Sequence, residues 1–198
     1  MTCAITDFPE PMTLETLTAR LSYIRQSPQQ TGTLALIVRR PQVDAREVLA
    51  EGELNTAEGL AGDSWRVRRS SRTADGAPHP DMQLNLMNVR VAEAVAGKMK
   101  RWPLAGDQLF VDFDLSQANV PPGTRLAVGS AVIEITSQPH TGCSKFAARF
   151  GVDALTFVNS PEGRVLGLRG VNARVIKPGR VRVGDVVRTA PASPRDDG

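Results

Sequence analysis

The sequence predicts a mainly β chain with a few helices, an α+β domain whose strands close as a small barrel or sandwich. Three observations carry that prediction. Apolar runs are short and rich in Val, Ile and Leu, and turn-forming residues separate them at brief intervals. The 198 residues include Gly 17 and Pro 14, ample punctuation for many turns. Helical periodicity is sustained in few places.

The elements follow in order. Residues 12–26 read as one amphipathic helix, because Leu14, Leu17, Leu21 and Ile24 recur at helical spacing and Thr13 is placed to cap it. Ser27-Pro28 ends it, since proline disfavours helix in the residue before it. Residues 33–38 form a buried apolar strand. Residues 39–65 show no clear period and close on the turn Gly59-Leu60-Ala61-Gly62-Asp63. From 66 to 80 the chain is basic, then rich in Ser, Gly and Pro, which predicts a long exposed loop. Leu84 and Leu86 mark a strand, and a helix follows over 89–100. Residues 109–113, 125–128 and 131–136 read as strands, separated by Pro121-Pro122-Gly123 and by Gly129-Ser130. Residues 143–150 have helix-forming composition, continuing past Gly151 to Val158. Strands return over 171–176 and, after Pro178-Gly179, at Val181, Val183, Val186 and Val187. The Pro- and Asp-rich end predicts a disordered tail. The expected organisation is a helical extension over 1–30, one domain over 31–190 and the tail over 191–198.

Composition narrows the function. Hydrophobic residues at 41% supply a core, and 23% charged residues suit a soluble protein. A net charge of +3 is too small to mark a nucleic-acid binder, and Phe 6, Trp 2 and Tyr 1 offer no stacking platform, so no nucleic-acid partner is expected. Residues 1–10 lack the blocks of a signal peptide, and no apolar run approaches the roughly 20 residues that span a bilayer. The expectation is a cytoplasmic protein with no membrane partner. There, Cys3 and Cys143 read as free thiols rather than a disulfide.

The segment Thr136-Ser137-Gln138-Pro139-His140-Thr141-Gly142-Cys143-Ser144-Lys145-Phe146 carries the most chemistry. It places a thiol at the start of a helix, after a strand and a turn, with Lys145 nearby; both the helix end and the lysine favour a thiolate. A thiolate ligates soft metals, carries a persulfide or attacks an electrophile. The competing reading is a small buried hydrophobe, the usual place of a lone cysteine. His140 is a proton donor, a second ligand or a surface residue of the turn. Zinc is not expected, because the remaining histidine, His79, lies in the long loop and no second ligand pair exists. No Gly-x-Ser-x-Gly elbow points to a serine hydrolase. The pairs Gly62-Asp63, Gly106-Asp107 and Gly184-Asp185 are explained as turns. Two arginine-rich stretches, 65–72 and 164–188, are either solvated surface or suited to a phosphorylated small molecule.

Taken together and in order, these motifs resemble the MOSC domain, named for the C-terminal domain of molybdenum cofactor sulfurases. They are Gly59-Leu60-x-Gly62-Asp63, Gly106-Asp107-Gln108-Leu109, Pro122-Gly123-Thr124-Arg125-Leu126-x-x-Gly129 and Pro139-His140-Thr141-Gly142-Cys143. Leu168-Arg169-Gly170 and Pro178-Gly179-x-Val181-x-x-Gly184-Asp185 complete the set. The resemblance covers residues 32–189 and is to stand-alone bacterial-type members. It implies a β-barrel-like fold with peripheral helices. It also implies that Cys143 ligates the molybdenum of a pterin cofactor (molybdopterin), as the matching cysteine does in amidoxime-reducing members, or that it handles sulfur, as proposed for others. On that footing His140 is a catalytic candidate beside Cys143. Arg66, Arg68 and Arg169, with Lys145, are candidates for holding the cofactor. The amidoxime reducers carry a further N-terminal β-domain that has no counterpart in residues 1–30. No iron–sulfur motif is present, so a reductase would draw on a separate electron-donor protein, and a sulfur carrier on a sulfur-donor protein. Pyridoxal phosphate belongs to a desulfurase domain of fused members, for which this chain has no room. The three functions that remain are a reductase of N-hydroxylated compounds, a persulfide carrier and a binding domain without catalysis.

Overall fold

The computed structural model describes residues 10–191. The expectations for Cys3 and for the tail beyond Pro191 lie outside the described residues, as does all of the leader reading except Glu10.

The chain opens with α1 (Leu14–Ala19) and α2 (Leu21–Ile24), then runs through β1 (Thr31–Arg39), β2 (Glu47–Leu49), β3 (Glu51–Asn55), β4 (Gly59–Leu60) and β5 (Leu84–Asn88). It continues with α3 (Val89–Ala96), β6 (Leu109–Asp112), β7 (Arg125–Val128) and β8 (Ala131–Ile135). The last part holds α4 (Ser144–Phe150), α5 (Val152–Asn159), α6 (Pro161–Val165), β9 (Val171–Lys177), β10 (Gly179–Arg182) and β11 (Val186–Ala190).

Seven strands close a barrel in the order β11-β7-β8-β9-β5-β6-β1, with β1 pairing back to β11. Thr31, Gly32 and Thr33 meet Arg188, Val187 and Val186 at the closure. Only β5 and β6 run parallel in the ring; every other pair is antiparallel. β2 extends the far half of β1, and β3, β4 and β10 form a separate small sheet. Closure leaves few free edges, which is how a mostly antiparallel barrel avoids edge pairing.

Two apolar clusters explain why these residues form these strands. Leu34, Ile37, Leu86, Leu109, Val111, Leu126, Ile133 and Val187 fill the barrel interior. Leu36, Val38, Met87 and Phe110 face outward, where α1 to α5 cover them. β1 is therefore apolar on both faces over residues 34–38, where its sequence runs apolar instead of alternating; β5 is buried on both faces as well but carries Asn85 and Asn88. In β1 a bulge between Leu34 and Leu36 shifts the register, so Leu34 and Ile37 both point inward despite their odd spacing.

Three expectations are corrected. The helix over 12–26 is two pieces: Thr13 caps the first as expected, but the Arg20 N–H bonds the Leu17 carbonyl at 3.0 Å, tightening the turn between them. The helix over 89–100 ends at Gly97, whose φ of 68° breaks it, and a 3-10 helix takes over at Met99–Ala105 around buried Trp102. The loop over 66–80 starts inside a 3-10 turn, Ser64–Val67, capped by Asp63. Residues 39–65, left open by the sequence, supply β2, β3 and β4. α6 was not foreseen, though Ser160 caps it and Pro161 starts it in the usual manner. Among the described residues no helix is long and apolar enough to cross a membrane.

Candidate functional site

Cys143 stands at the N-cap of α4 and is exposed; its side chain caps no backbone N–H. The helix is anchored beneath it by Phe146 and Phe150, one turn apart and buried, their ring centroids 4.9 Å from each other. The residue before the thiol must be small: a Cβ on Gly142 would sit 2.7 Å from Leu155 Cδ1 and 3.2 Å from Val158 Cγ2. Asn159 clamps that glycine, accepting from its N–H (2.8 Å) and donating to its carbonyl (3.1 Å). α5 therefore sets the height of the cysteine loop.

The other end of the loop is held by charge. Asp107 is fully buried and accepts from Arg169 Nη1 with both oxygens (3.0 and 2.8 Å) and from His140 Nε2 (2.8 Å). Arg169, 7% exposed, also donates from Nη2 to the Ala105 carbonyl (2.9 Å) and lies 5.0 Å over the Phe146 ring. Its Nε is the one buried side-chain polar atom without a partner among the described residues. Burial alone would raise the Asp107 pKa, but the Arg169 charge and the His140 hydrogen bond overcome it, bringing the pKa from 3.8 to about 2. Burial, followed by the Arg169 charge, lowers the His140 pKa, and the bond to Asp107 offsets this only in part. His140 is thus neutral near pH 7, and its proton is assigned to Nε2 because an ionised carboxylate only accepts.

A second buried network ties the barrel to the same loop. Arg40 and Asp63 pair at 2.9 Å, both buried. Arg40 Nη1 reaches Asn85 Oδ1 (2.9 Å), Asn85 donates to Asn172 (2.6 Å), and Asn172 donates to the Gln138 carbonyl (3.0 Å). The side chains of Asp63 and Asp107 thus do more than turn the chain; the Asp185 side chain accepts locally from the Arg182 N–H at 2.7 Å, while the Gly184-Asp185 backbone bonds Leu34 of β1.

Beside α4 lies a groove of about 600 Å³ lined by Arg46, Arg68, Arg69, Lys145 and Arg149, with Asp44 as the sole acidic wall. Asp44 is bound to Arg149 at 2.9 Å. Among the described residues Arg69 and Lys145 form no ion pair, and the Arg68 side chain bonds only the Ser64 hydroxyl (3.0 Å). Burial lowers the Arg46 and Arg68 pKa values, and neighbouring arginines lower them further, so the groove concentrates positive charge at an electrostatic cost.

The sequence-named residues separate into three places. Cys143 and Lys145 share the start of α4, and Arg68 joins Lys145 in the groove. His140 and Arg169 meet at Asp107 beneath the loop, where both Arg169 Nη groups are already engaged. Arg66 points away, 65% exposed and 3.6 Å from Glu58. Asp107, Asn159 and Asn172 were missed. The signal for Asp107 was present: a carboxylate and an arginine stood in separate motifs of one ordered set. Among the described residues no three His, Cys, Asp or Glu side chains converge on a metal position. A metal held at Cys143 must bring most of its own ligands.

Comparison with known proteins agrees with this architecture. The family model of the MOSC domain matches residues 79–188, more than half of the chain. No curated protein matches it at a significant level. Among solved structures, the YuaD protein from Bacillus subtilis superposes with a TM-score of 0.56 at 15% identity, covering 80% of this chain and 95% of that one. YiiM from Escherichia coli gives 0.51 at 22% identity, covering 81% and 70%. YiiM from Geobacillus stearothermophilus gives 0.53 at 15%, covering 81% and 75%. At these identities the likeness is one of fold.

Proposed function

Because the chain belongs to the MOSC domain family, we propose that Cys143 ligates the molybdenum of a pterin cofactor, that the cationic groove seats the cofactor's phosphate, and that the protein reduces N-hydroxylated compounds with electrons from a separate donor protein. One observation carries this reading: an exposed, unpartnered thiol stands two residues before Lys145, which lines a five-cation groove. The residues fit such a group. A single soft ligand suits a metal that arrives with its own sulfur donors. Pockets for cofactor-sized molecules measure about 300–1,000 Å³, and the groove falls within that range. A phosphate there would relieve the repulsion among Arg46, Arg68 and Arg149, and arginine forks match its oxygens.

When bound, the cofactor supplies a two-electron couple next to the thiol. The chain's own residues do the rest. Cys143 would hold the metal through its sulfur. Asn159 fixes the backbone in front of it, and Asp107, through His140, fixes the loop behind. The cations balance the phosphate charge, and Arg68 is held in place by Ser64. The test is retention of pterin, read by fluorescence after release from denatured protein. Arg68→Glu combined with Lys145→Glu weakens retention at least about 100-fold, since each charge-assisted contact is worth about 1.5–3 kcal/mol. Retention equal to wild type removes the groove from the account.

A second reading, a persulfide carrier, is favoured by one fact: Cys143 is exposed and does not wall the groove. Under it, mass spectrometry after incubation with a cysteine desulfurase finds one added sulfur on Cys143; an unmodified thiol ends it.

A further inference from the structure

A cavity of about 230 Å³ opens at one end of the barrel, between residues 135–141 and the chain that follows α6. Leu115, Val120, Ile135 and Val158 form much of its wall. Cys143 does not line it, so its occupation does not depend on a cofactor at the thiol.

Its polar groups are few and specific. His140 is one of the lining residues. The Nε2 edge of the imidazole is committed to Asp107, and Cδ2 is backed by Gly170, where an added Cβ would come within 3.3 Å. The opposite edge carries Nδ1, which has no protein partner among the described residues and is not sealed from solvent. With the proton on Nε2, Nδ1 is a bare acceptor that calls for an N–H or O–H donor. At the rim stands Arg164, exposed, its Nε donating to the Asn159 carbonyl (3.1 Å) and its guanidinium in no ion pair among the described residues. No Asp or Glu lines the cavity.

We propose that this cavity binds a single-ring aromatic or heteroaromatic acid bearing an O–H or N–H group, the donor directed at His140 Nδ1 and the carboxylate at Arg164. Size sets the ring count: about 150 Å³ of apolar cavity accommodates benzene, so this volume holds one ring with substituents and excludes a second. The apolar walls desolvate the ring. The neutral imidazole selects the donor, and the uncompensated arginine selects the acid. Gly167 and Gly170, both at positive φ, bring backbone rather than side chain to the wall.

The test uses the full chain with nitrogen-labelled histidine and backbone, titrated with meta-hydroxybenzoate, benzoate and phenol. Meta-hydroxybenzoate gives saturable shifts below about 10 mM, moving the ring nitrogens of His140 and leaving those of His79 unmoved. Benzoate, which lacks the donor, binds about 5- to 10-fold more weakly. Arg164→Ala weakens meta-hydroxybenzoate by about 2- to 5-fold and leaves phenol unchanged. His140→Phe abolishes the preference for meta-hydroxybenzoate over benzoate; the ring-nitrogen shifts of the wild-type protein make the same point if that variant does not fold. Absence of saturation, equal affinity for meta-hydroxybenzoate and benzoate, or a still His140 ring would overturn the proposal.

Discussion

Replacing Asp107 by Asn removes a charge and changes almost no volume. In the wild-type protein the carboxylate has no exposure and takes two contacts from Arg169 and one from His140. With Asn there, the Arg169 guanidinium remains buried beside a neutral amide. Stripping one partner from a buried ion pair costs about 3–5 kcal/mol. Because the amide oxygen still accepts one bond, and Ala105 and Phe146 still hold the guanidinium, the lower end applies, about 3 kcal/mol. For a chain of this size that lowers the unfolding midpoint by about 6–12 °C. Urea unfolding of wild type, Asp107→Asn, Arg169→Met and the double variant measures it. The double variant is expected to lose about 2 kcal/mol less than the sum of the single losses, because the two residues act as one unit. An Asp107→Asn loss under about 1 kcal/mol, or strict additivity, would show that the buried pair does not anchor the loop.

Three further expectations follow from the same geometry. His140 has a native pKa below its ordinary 6.5, so as pH falls through 6.5 the unfolded chain takes up a proton that the native state refuses. Stability therefore drops below pH 6.5 by up to about 1.4 kcal/mol per pH unit, and His140→Phe flattens that step; a wild-type urea midpoint constant from pH 7 to 5 contradicts the assignment. The depressed Asp107 carboxyl acts in the acid range, its contribution complete above 3.8 and lost as pH falls through about 2. Gly170→Ala would push a Cβ to 2.0 Å from the Leu86 carbonyl at a φ of +100°, costing more than about 2 kcal/mol; an unchanged melting temperature counts against it. Asn159→Ala loses both bonds to Gly142, lowers stability by about 1–2 kcal/mol and speeds hydrogen exchange at the Gly142 amide; unchanged exchange would mean that the clamp is not what holds the loop.

Much of the fold was legible because its signals are local. The strand over 131–136 alternates, and the cap at Thr13 and the turn at Gly129 lie within a few residues of what they organise. The broken helix at Arg20 was not legible, since Leu17, Leu21 and Ile24 keep helical spacing across the break. Cys143 at the head of α4 was readable from its motif. Its supports were not: Asp107 and Arg169 are separated by 62 positions, and Gly142 and Asn159 by 17. Local turn chemistry explained Asp63 and Asp107 well enough to hide their long-range partners. Arg66 and Arg68 look alike in sequence, and only the 3-10 turn at Ser64–Val67 sends one toward Glu58 and the other into the groove.

The molybdenum content of purified protein bears most directly on the central claim. Wild type and Cys143→Ser, produced side by side in a host that makes the pterin cofactor, should contain about one molybdenum per chain and almost none, respectively. Metal-free wild type in repeated preparations, or equal loading of both proteins, would contradict the role assigned to Cys143.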